Sequence, residues 1–218
     1  MNYYRGEPFM RMFSKLIGIV GMSVLGISLA MAAPKDSSPQ LNAMYRPAGN
    51  AIAGNPQGQI TMVEFFDYNC GYCRLMFPKI NELIAQNKNL RVIFREYPVL
   101  SPRSVLPAKA ALAAQKQGKY AQLHEAMMTA KMPLDESEIV KLAHGVNIDT
   151  SKLLQDMKSS SVENQIDVNM QVGQNMNIQG VPTFIVVRTS PPSKHPAEVM
   201  VGPSISDLEN MIKKAEND

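Results

Sequence analysis

The chain has 218 residues, 45% hydrophobic and 19% charged, with no Trp, only two Cys and a formal net charge of +3. Three of its 22 basic residues and one of its 19 acidic ones fall in the first 32 positions, so the remainder is close to neutral. That balance leaves no basic footprint for nucleic acid or an acidic membrane, and the size fits one large domain or a domain with an insertion.

Arg11 and Lys15 precede an apolar run from Leu16, and Ala30-Met31-Ala32 places small residues where a signal peptidase reads. This pattern predicts a secretory signal over residues 1–32 and a mature start near Ala33. The rival is an uncleaved anchor, since Leu16 to Ala33 approaches the ~20 residues needed to span a bilayer. Residues 33–57 are expected to form a loosely structured lead-in, with Gly54-Asn55-Pro56-Gln57-Gly58 as a turn. Ile60–Phe66, ITMVEFF, is an almost continuous apolar run and predicts a strand buried on both faces. Met76, Phe77, Ile80, Leu83 and Ile84 are spaced for a helix over 71–86, and Leu90–Phe94 reads as the next strand. Strand, helix and strand at this separation make a βαβ unit.

From Ser104 to Met176 the residues are good helix formers, with Ile139, Leu142 and Ala143 on one face and a stop at Gly145. Thr183–Val187 reads as a strand, Val199–Val201 as a short partner, and Ser204–Ala215 as a closing helix. Strands on both sides of a helical block imply one α/β domain carrying an insertion.

Both cysteines stand three apart, as Cys70 and Cys73 in FDYNCGYCRLMFP. Helical residues at that spacing have α-carbons roughly 5 Å apart, within the ~4.4–6.8 Å range of a disulfide. Three uses compete. A structural staple closing four residues contributes only roughly 2 kcal/mol, against ~3 for a fifteen-residue loop. A structural metal wants four ligands, and His124, His144 and His195 are all distant in sequence. Reversible thiol–disulfide exchange needs two neighbouring thiols and nothing else. The placement favours exchange: the pair follows a buried strand and opens a helix, with Asn69 as the expected N-cap. A helix start favours an anion, so the thiol of Cys70 should titrate below its free value of ~8.5 and act as nucleophile. Cys73, one turn in, should be the buried resolving thiol. Arg74 either adds positive potential beside Cys70 or is an ordinary solvated side chain.

Glu64, inside the apolar run, is costly to bury ionised and unpaired. Either it reaches solvent, or it is a raised-pKa acid able to exchange a proton with Cys73. Pro182, in GVPTF, stands immediately before a strand; an X–Pro bond is trans by base rate.

Taken together, VEFFDYNCGYC, Pro78 eight residues after Cys70, the helical block and GVPTF resemble the thioredoxin superfamily, and more closely its exported DsbA-like branch. The resemblance spans about residues 57–215. It implies an α/β thioredoxin fold over 58–102 and 179–218 with an inserted helical domain over 103–178. It maps Cys70 onto the nucleophile, Cys73 onto its buried partner and Glu64 onto the buried acid. Pro182 falls on the cis-proline facing the active site, with Val181 beside it offering backbone contacts to a bound peptide. The dipeptide between the cysteines departs from the oxidase pattern: Gly71-Tyr72 replaces Pro-His and is similar to DsbC-type isomerases. Those, however, carry a long N-terminal dimerisation domain and Thr before the cis-proline, where this chain has Val181.

What the resemblance implies is a periplasmic, monomeric oxidoreductase that introduces disulfides into exported proteins, without cofactor or metal. A quinone-linked membrane partner of the DsbB kind would recharge it. The alternatives are a disulfide isomerase or reductase, and a peptide-binding chaperone whose groove would be lined by Phe77, Met127, Met128, Met132 and Met176.

Overall fold

The structure is a computed structural model and describes residues 44–45, 51–190, 192–193 and 197–218. The expected signal segment and most of the lead-in lie outside the described residues.

The sheet is assembled around β2, Ile60–Phe66, all seven of whose residues are buried. Its neighbours are β3 (Leu90–Glu96), parallel, and β4 (Thr183–Arg188), antiparallel. Outside these run β1 (Ile52–Gly54) against β3 and β5 (Glu198–Val201) against β4, both antiparallel, giving the order β1-β3-β2-β4-β5. A run apolar on both faces is what a central strand requires, since helices cover it on either side. The helix α1, Gly71–Gln86, connects β2 to β3. Between β3 and β4 come α2 (Val105–Gln115), α3 (Tyr120–Thr129), α4 (Glu136–Gly145), α5 (Thr150–Asp156) and α6 (Ser160–Asn175), and α7 (Ile205–Glu216) follows β5. The described elements thus form a mixed α/β thioredoxin-type fold with the helical run between two strands of one sheet.

Two elements differ from the sequence expectation. Within the lead-in, Ile52–Gly54 is a strand, too short and too poor in branched residues to stand out. Gly54 closes it at a φ of +75°, and a Cβ there would lie 2.5 Å from the Leu90 carbonyl oxygen, so only glycine fits. The expected turn follows, with the Gly58 N–H donating to the Asn55 carbonyl at 2.8 Å. At the other end, β3 continues through Arg95 and Glu96. Charge is ordinarily a sign that a strand is leaving the core, but both side chains are buried and find partners on distant helices.

Alternate residues of each strand face opposite sides of the sheet. Ile60, Met62 and Phe66 of β2, Val92 and Phe94 of β3, and Phe184 of β4 belong to a core completed by α1, α7 and the helical run. Val63, Phe65, Ile93 and Ile185 face the other way and pack with Met44, Tyr97, Val172 and Ile178. Gly173 in α6 makes this second packing possible, because a Cβ there would lie 2.4 Å from the Tyr97 ring. Polar side chains set the helix starts: Asp135 accepts from the Glu138 N–H at 2.9 Å, Asp149 from the Lys152 N–H at 3.0 Å, and Ser204 with Asp207 forms a capping box.

Candidate active site

Strand β2 delivers the chain into the loop Asp67–Asn69, where a buried carboxylate shapes the turn. Asp67 accepts from the backbone N–H of Asn69 at 2.8 Å and of Leu100 at 3.0 Å, pinning the loop after β2 to the one after β3. The Cys70 N–H donates to the Asp67 carbonyl at 3.0 Å. Asp67 was not anticipated, although an Asp two residues before a turn amide is a recognisable Asx-turn signal.

The N-cap falls on Cys70 itself rather than on Asn69. Cys70 has extended backbone, φ −78° and ψ 109°, and its Sγ accepts from the Cys73 N–H at 3.1 Å. Asn69 turns aside instead, its amide donating to Ser104 Oγ at 2.9 Å and so reaching the short 3-10 turn Pro102–Ser104. Sulfur thus takes the role an oxygen normally fills at a helix start, where the free N–H groups favour negative charge.

Cys70 and Cys73 are joined by a disulfide with α-carbons 5.2 Å apart. Cys73 is wholly buried, whereas Cys70 keeps 6% of its surface exposed. Cys70 Sγ also lies 3.6 Å from the Val181 carbonyl oxygen, and the Val181–Pro182 bond is cis. The Pro182 carbonyl is engaged by the Gly202 N–H at 2.8 Å. Between the cysteines, Gly71 is exposed with open space where a Cβ would point. Tyr72 is exposed as a ring but donates its hydroxyl to the Pro203 carbonyl at 2.9 Å. Arg74 is half-buried, its guanidinium bonded to the carbonyls of Met127, at 2.7 Å, and Ala130, at the C-terminal end of α3. It therefore clamps α1 to the helical run.

Glu64 sits in the middle of the sheet, between Phe94 of β3 and Phe184 of β4. Its neighbours two residues away, Met62 and Phe66, belong to the core that contains both cysteines. The carboxyl is buried, and Oε1 has no hydrogen-bond partner among the described residues. Desolvation pushes its pKa up to about 8. At neutral pH it carries its proton.

Four further groups share this side of the sheet and were not singled out from the sequence for a role here. Glu96 accepts the hydroxyl of Tyr120 on Oε1 and the Asn169 amide at 3.4 Å on Oε2. Burial pushes its pKa up to about 7, while the Tyr120 hydrogen bond pulls the other way. The hydroxyl of Tyr68 meets His124 Nδ1 at 2.8 Å. His124 lies among Phe66, Phe77, Phe94 and Tyr68, stacks on Tyr120 at 5.5 Å, and is driven down to about 3 by burial, so it is neutral. His144 is exposed in the last turn of α4, and His195 lies outside the described residues.

The methionine groove does not form as expected. Phe77, Met127 and Met128 are core, and Met176 is packed against the second cluster. Met132 alone of the set is well exposed, in a cleft of about 490 Å³ lined by Asn69, Ser101, Pro102, Arg103, Met132 and Pro133.

Residues 61–204 match the family described as DSBA-like thioredoxin domain. Among solved structures, the chain is similar to a thioredoxin-like oxidoreductase from Silicibacter pomeroyi DSS-3, at 32% identity and a TM-score of 0.73 over 81% of this chain and 98% of that one. Its fold is also that of a periplasmic thioredoxin-like protein from Salmonella enterica serovar Typhimurium, at 21% identity and a TM-score of 0.70 over 82% and 97%. A curated relative is the Na(+)/H(+) antiporter NhaA 3 of Salinispora tropica, 23% identical over 142 residues, which are 64% of this chain and 22% of that protein. The chain spans less than a third of the length of such curated relatives, with 22% and 30% covered in two of them. Among the described residues no helix is long and apolar enough to cross a membrane.

Proposed function

The chain belongs to the DSBA-like thioredoxin domain family, and from that premise we propose that it is a thiol:disulfide oxidoreductase passing its Cys70–Cys73 disulfide to protein thiols. One observation carries the reading: Cys70 Sγ caps α1 and accepts the Cys73 N–H at 3.1 Å, while Cys73 is fully enclosed. A helix start stabilises the thiolate of the outer cysteine, which favours the reduced pair and so makes the disulfide a good oxidant.

In the forward reaction a substrate thiolate attacks Cys70 Sγ. The bond to Cys73 breaks, its electron pair goes to Cys73 Sγ, and that sulfur takes a proton from the carboxyl of Glu64. A second substrate thiolate then attacks the substrate sulfur of the mixed disulfide, and Cys70 leaves as thiolate. The substrate loses two electrons and the cysteine pair gains them. Val181 and Pro182 border Cys70 and are assigned to holding the substrate backbone; Gly71 and Tyr72 form the surface that meets it. Residues 103–178 are assigned as a helical domain inserted into a thioredoxin scaffold of 58–102 and 179–218.

The export-type leader and the likeness to a protein described as periplasmic support a periplasmic site of action, with exported proteins as substrates. A DsbB-type membrane oxidant as partner and a monomeric state complete the proposal. The test is equilibration of the Cys70–Cys73 pair against glutathione, with oxidation of a reduced peptide followed in parallel. The expected result is a couple more oxidising than thioredoxin, whose potential is roughly −270 mV. A potential at or below that value overturns the oxidase direction. Gly71-Tyr72 between the cysteines favours a second reading, isomerase or reductase, for which rescue of a scrambled substrate without net oxidation is the mark.

A further inference from the structure

Cys70 is bordered by two separate surfaces. One is the Val181 carbonyl, 3.6 Å from its Sγ. The other begins at the preceding residue, because Asn69 lines the cleft of about 490 Å³. Adjacent α-carbons lie about 3.8 Å apart, so this cleft opens beside the nucleophile. Its remaining lining comes from two segments, Ser101, Pro102 and Arg103 after β3, and Met132 and Pro133 after α3. The frame is fixed: Asn69 donates its amide to Ser104 Oγ at 2.9 Å, and Arg74 ties α1 to the end of α3 just before Met132.

What the cleft offers is uncommitted. Arg103 is exposed and is the one charged residue of the lining, and its guanidinium has no bonding partner among the described residues. Asn69 Oδ1 likewise accepts nothing there. The nearest acids in sequence are spent elsewhere, Asp67 on the N–H groups of Asn69 and Leu100, and Asp135 on Ser137 and the Glu138 N–H. Met132 is well exposed, as are Val99 and Leu100 directly before Ser101. Apolar surface beside a lone cation suits a side chain with a short apolar stem and a carboxylate tip. A purely apolar occupant would cover Arg103 without pairing it, and a basic one would meet like charge.

We propose that this cleft is a specificity subsite for the client protein, taking a glutamate or aspartate that stands within a few residues of the client's attacking cysteine. Arg103 pairs with the carboxylate, Asn69 Oδ1 accepts a client N–H, and Met132 with Pro102 and Pro133 covers the stem. An extended chain advances about 3.3 Å per residue, so the near neighbours of a cysteine docked on Cys70 come within reach. The inference rests on the reading of Cys70 as the sulfur that client thiolates attack, and adds which thiols react fastest.

The test uses the full chain, oxidised, and reduced peptides with one cysteine. Peptide pairs differ only in carrying Glu or Lys at one of the three positions on either side of it. The readout is the Glu-to-Lys ratio of the rates at which peptide thiol is consumed, compared between variants so that each peptide's own reactivity cancels. Arg103→Glu is expected to lower that ratio about tenfold at the best position, and Arg103→Ala about threefold, the scale of exposed ion pairs. Lys88→Glu makes the same change in net charge just before β3, at the opposite end of the sheet from Cys70, and should leave the ratio near that of the unaltered chain. If Arg103→Glu changes the ratio at no position, or no more than Lys88→Glu does, the inference is overturned while the reading of Cys70 stands. If the unaltered chain consumes none of the peptide thiols, that reading falls and the inference with it. Should Arg103→Glu not fold, Arg103→Ala against Lys88→Ala decides by the same comparison.

Discussion

On one side of the sheet Val63, Phe65, Ile93 and Ile185 meet Tyr97, Val172 and Ile178, and the buried Arg95, opposite Phe65, is held there by Asn169 and the Met44 carbonyl. On the other, built from alternate residues of the same strands, Glu64 occupies an equally central place between Phe94 and Phe184. The first arrangement serves stability, each large apolar side chain contributing about 1.5–3 kcal/mol on burial. The second works against it, because a buried polar atom without a partner costs about 1–3 kcal/mol. Glu64 stands on the side that also holds Cys70 and Cys73, where the proposed exchange calls for a proton. The two faces thus differ in how a central buried charge-bearing group is met: Arg95 finds Asn169 and a carbonyl, whereas Glu64 Oε1 finds no partner among the described residues.

The largest expected effect is on the polar face. Glu64 has an ordinary value of 4.5, raised to about 8 in the fold. Its contribution to stability is therefore complete below 4.5 and is lost as pH rises through 8. His124 runs the other way, from 6.5 to about 3, so its contribution is present above 6.5 and lost as pH falls through 3. Glu64→Gln should remove much of the alkaline loss, on the order of a few kcal/mol near pH 9, and leave the acid limb unchanged. Denaturant melts across pH 4 to 9 would check this, and an unchanged alkaline limb would break the contrast between the faces. The same substitution should slow disulfide transfer.

On the apolar face, Gly173→Ala drives a Cβ into the Tyr97 ring and should cost about 1–3 kcal/mol by overpacking, with the redox potential unmoved. A shift in potential would show that the faces are coupled. Arg74→Met should cost about 2 kcal/mol, because it cuts the charged bonds from α1 to the end of α3. Hydrogen exchange should then rise in α3 before it rises in the strands. Smallest of all, Tyr72→Phe removes only the bond to Pro203 and should cost about 0.5–1 kcal/mol, read as a small change in melting midpoint.

What could be read beforehand was local. ITMVEFF declares a central strand by its unbroken apolarity, and Glu64 stands out as the one charge inside it. The CxxC spacing and the helix that follows put sulfur at a helix start, even though the cap fell on Cys70 and not on Asn69. Leu90–Phe94 reads as a strand from its branched residues, and nothing near Arg95 and Glu96 in sequence shows that Asn169 and Tyr120 bond them and carry β3 further. His124 looked like any histidine, since the Tyr68 hydroxyl that meets it comes from 56 positions away.

The sequence alone determined the periodicities, the thiol pair and its place at the start of a helix, because these depend on residues within a turn or two of one another. Only the tertiary structure decided which acids lose contact with water, and which phenols and which histidine surround them. Burial depends on every element that closes over a group, and a pKa follows burial. How α3 and α6 pack on the sheet therefore sets the raised pKa of Glu96 and the lowered pKa of His124, and that packing is written in no single stretch of the chain.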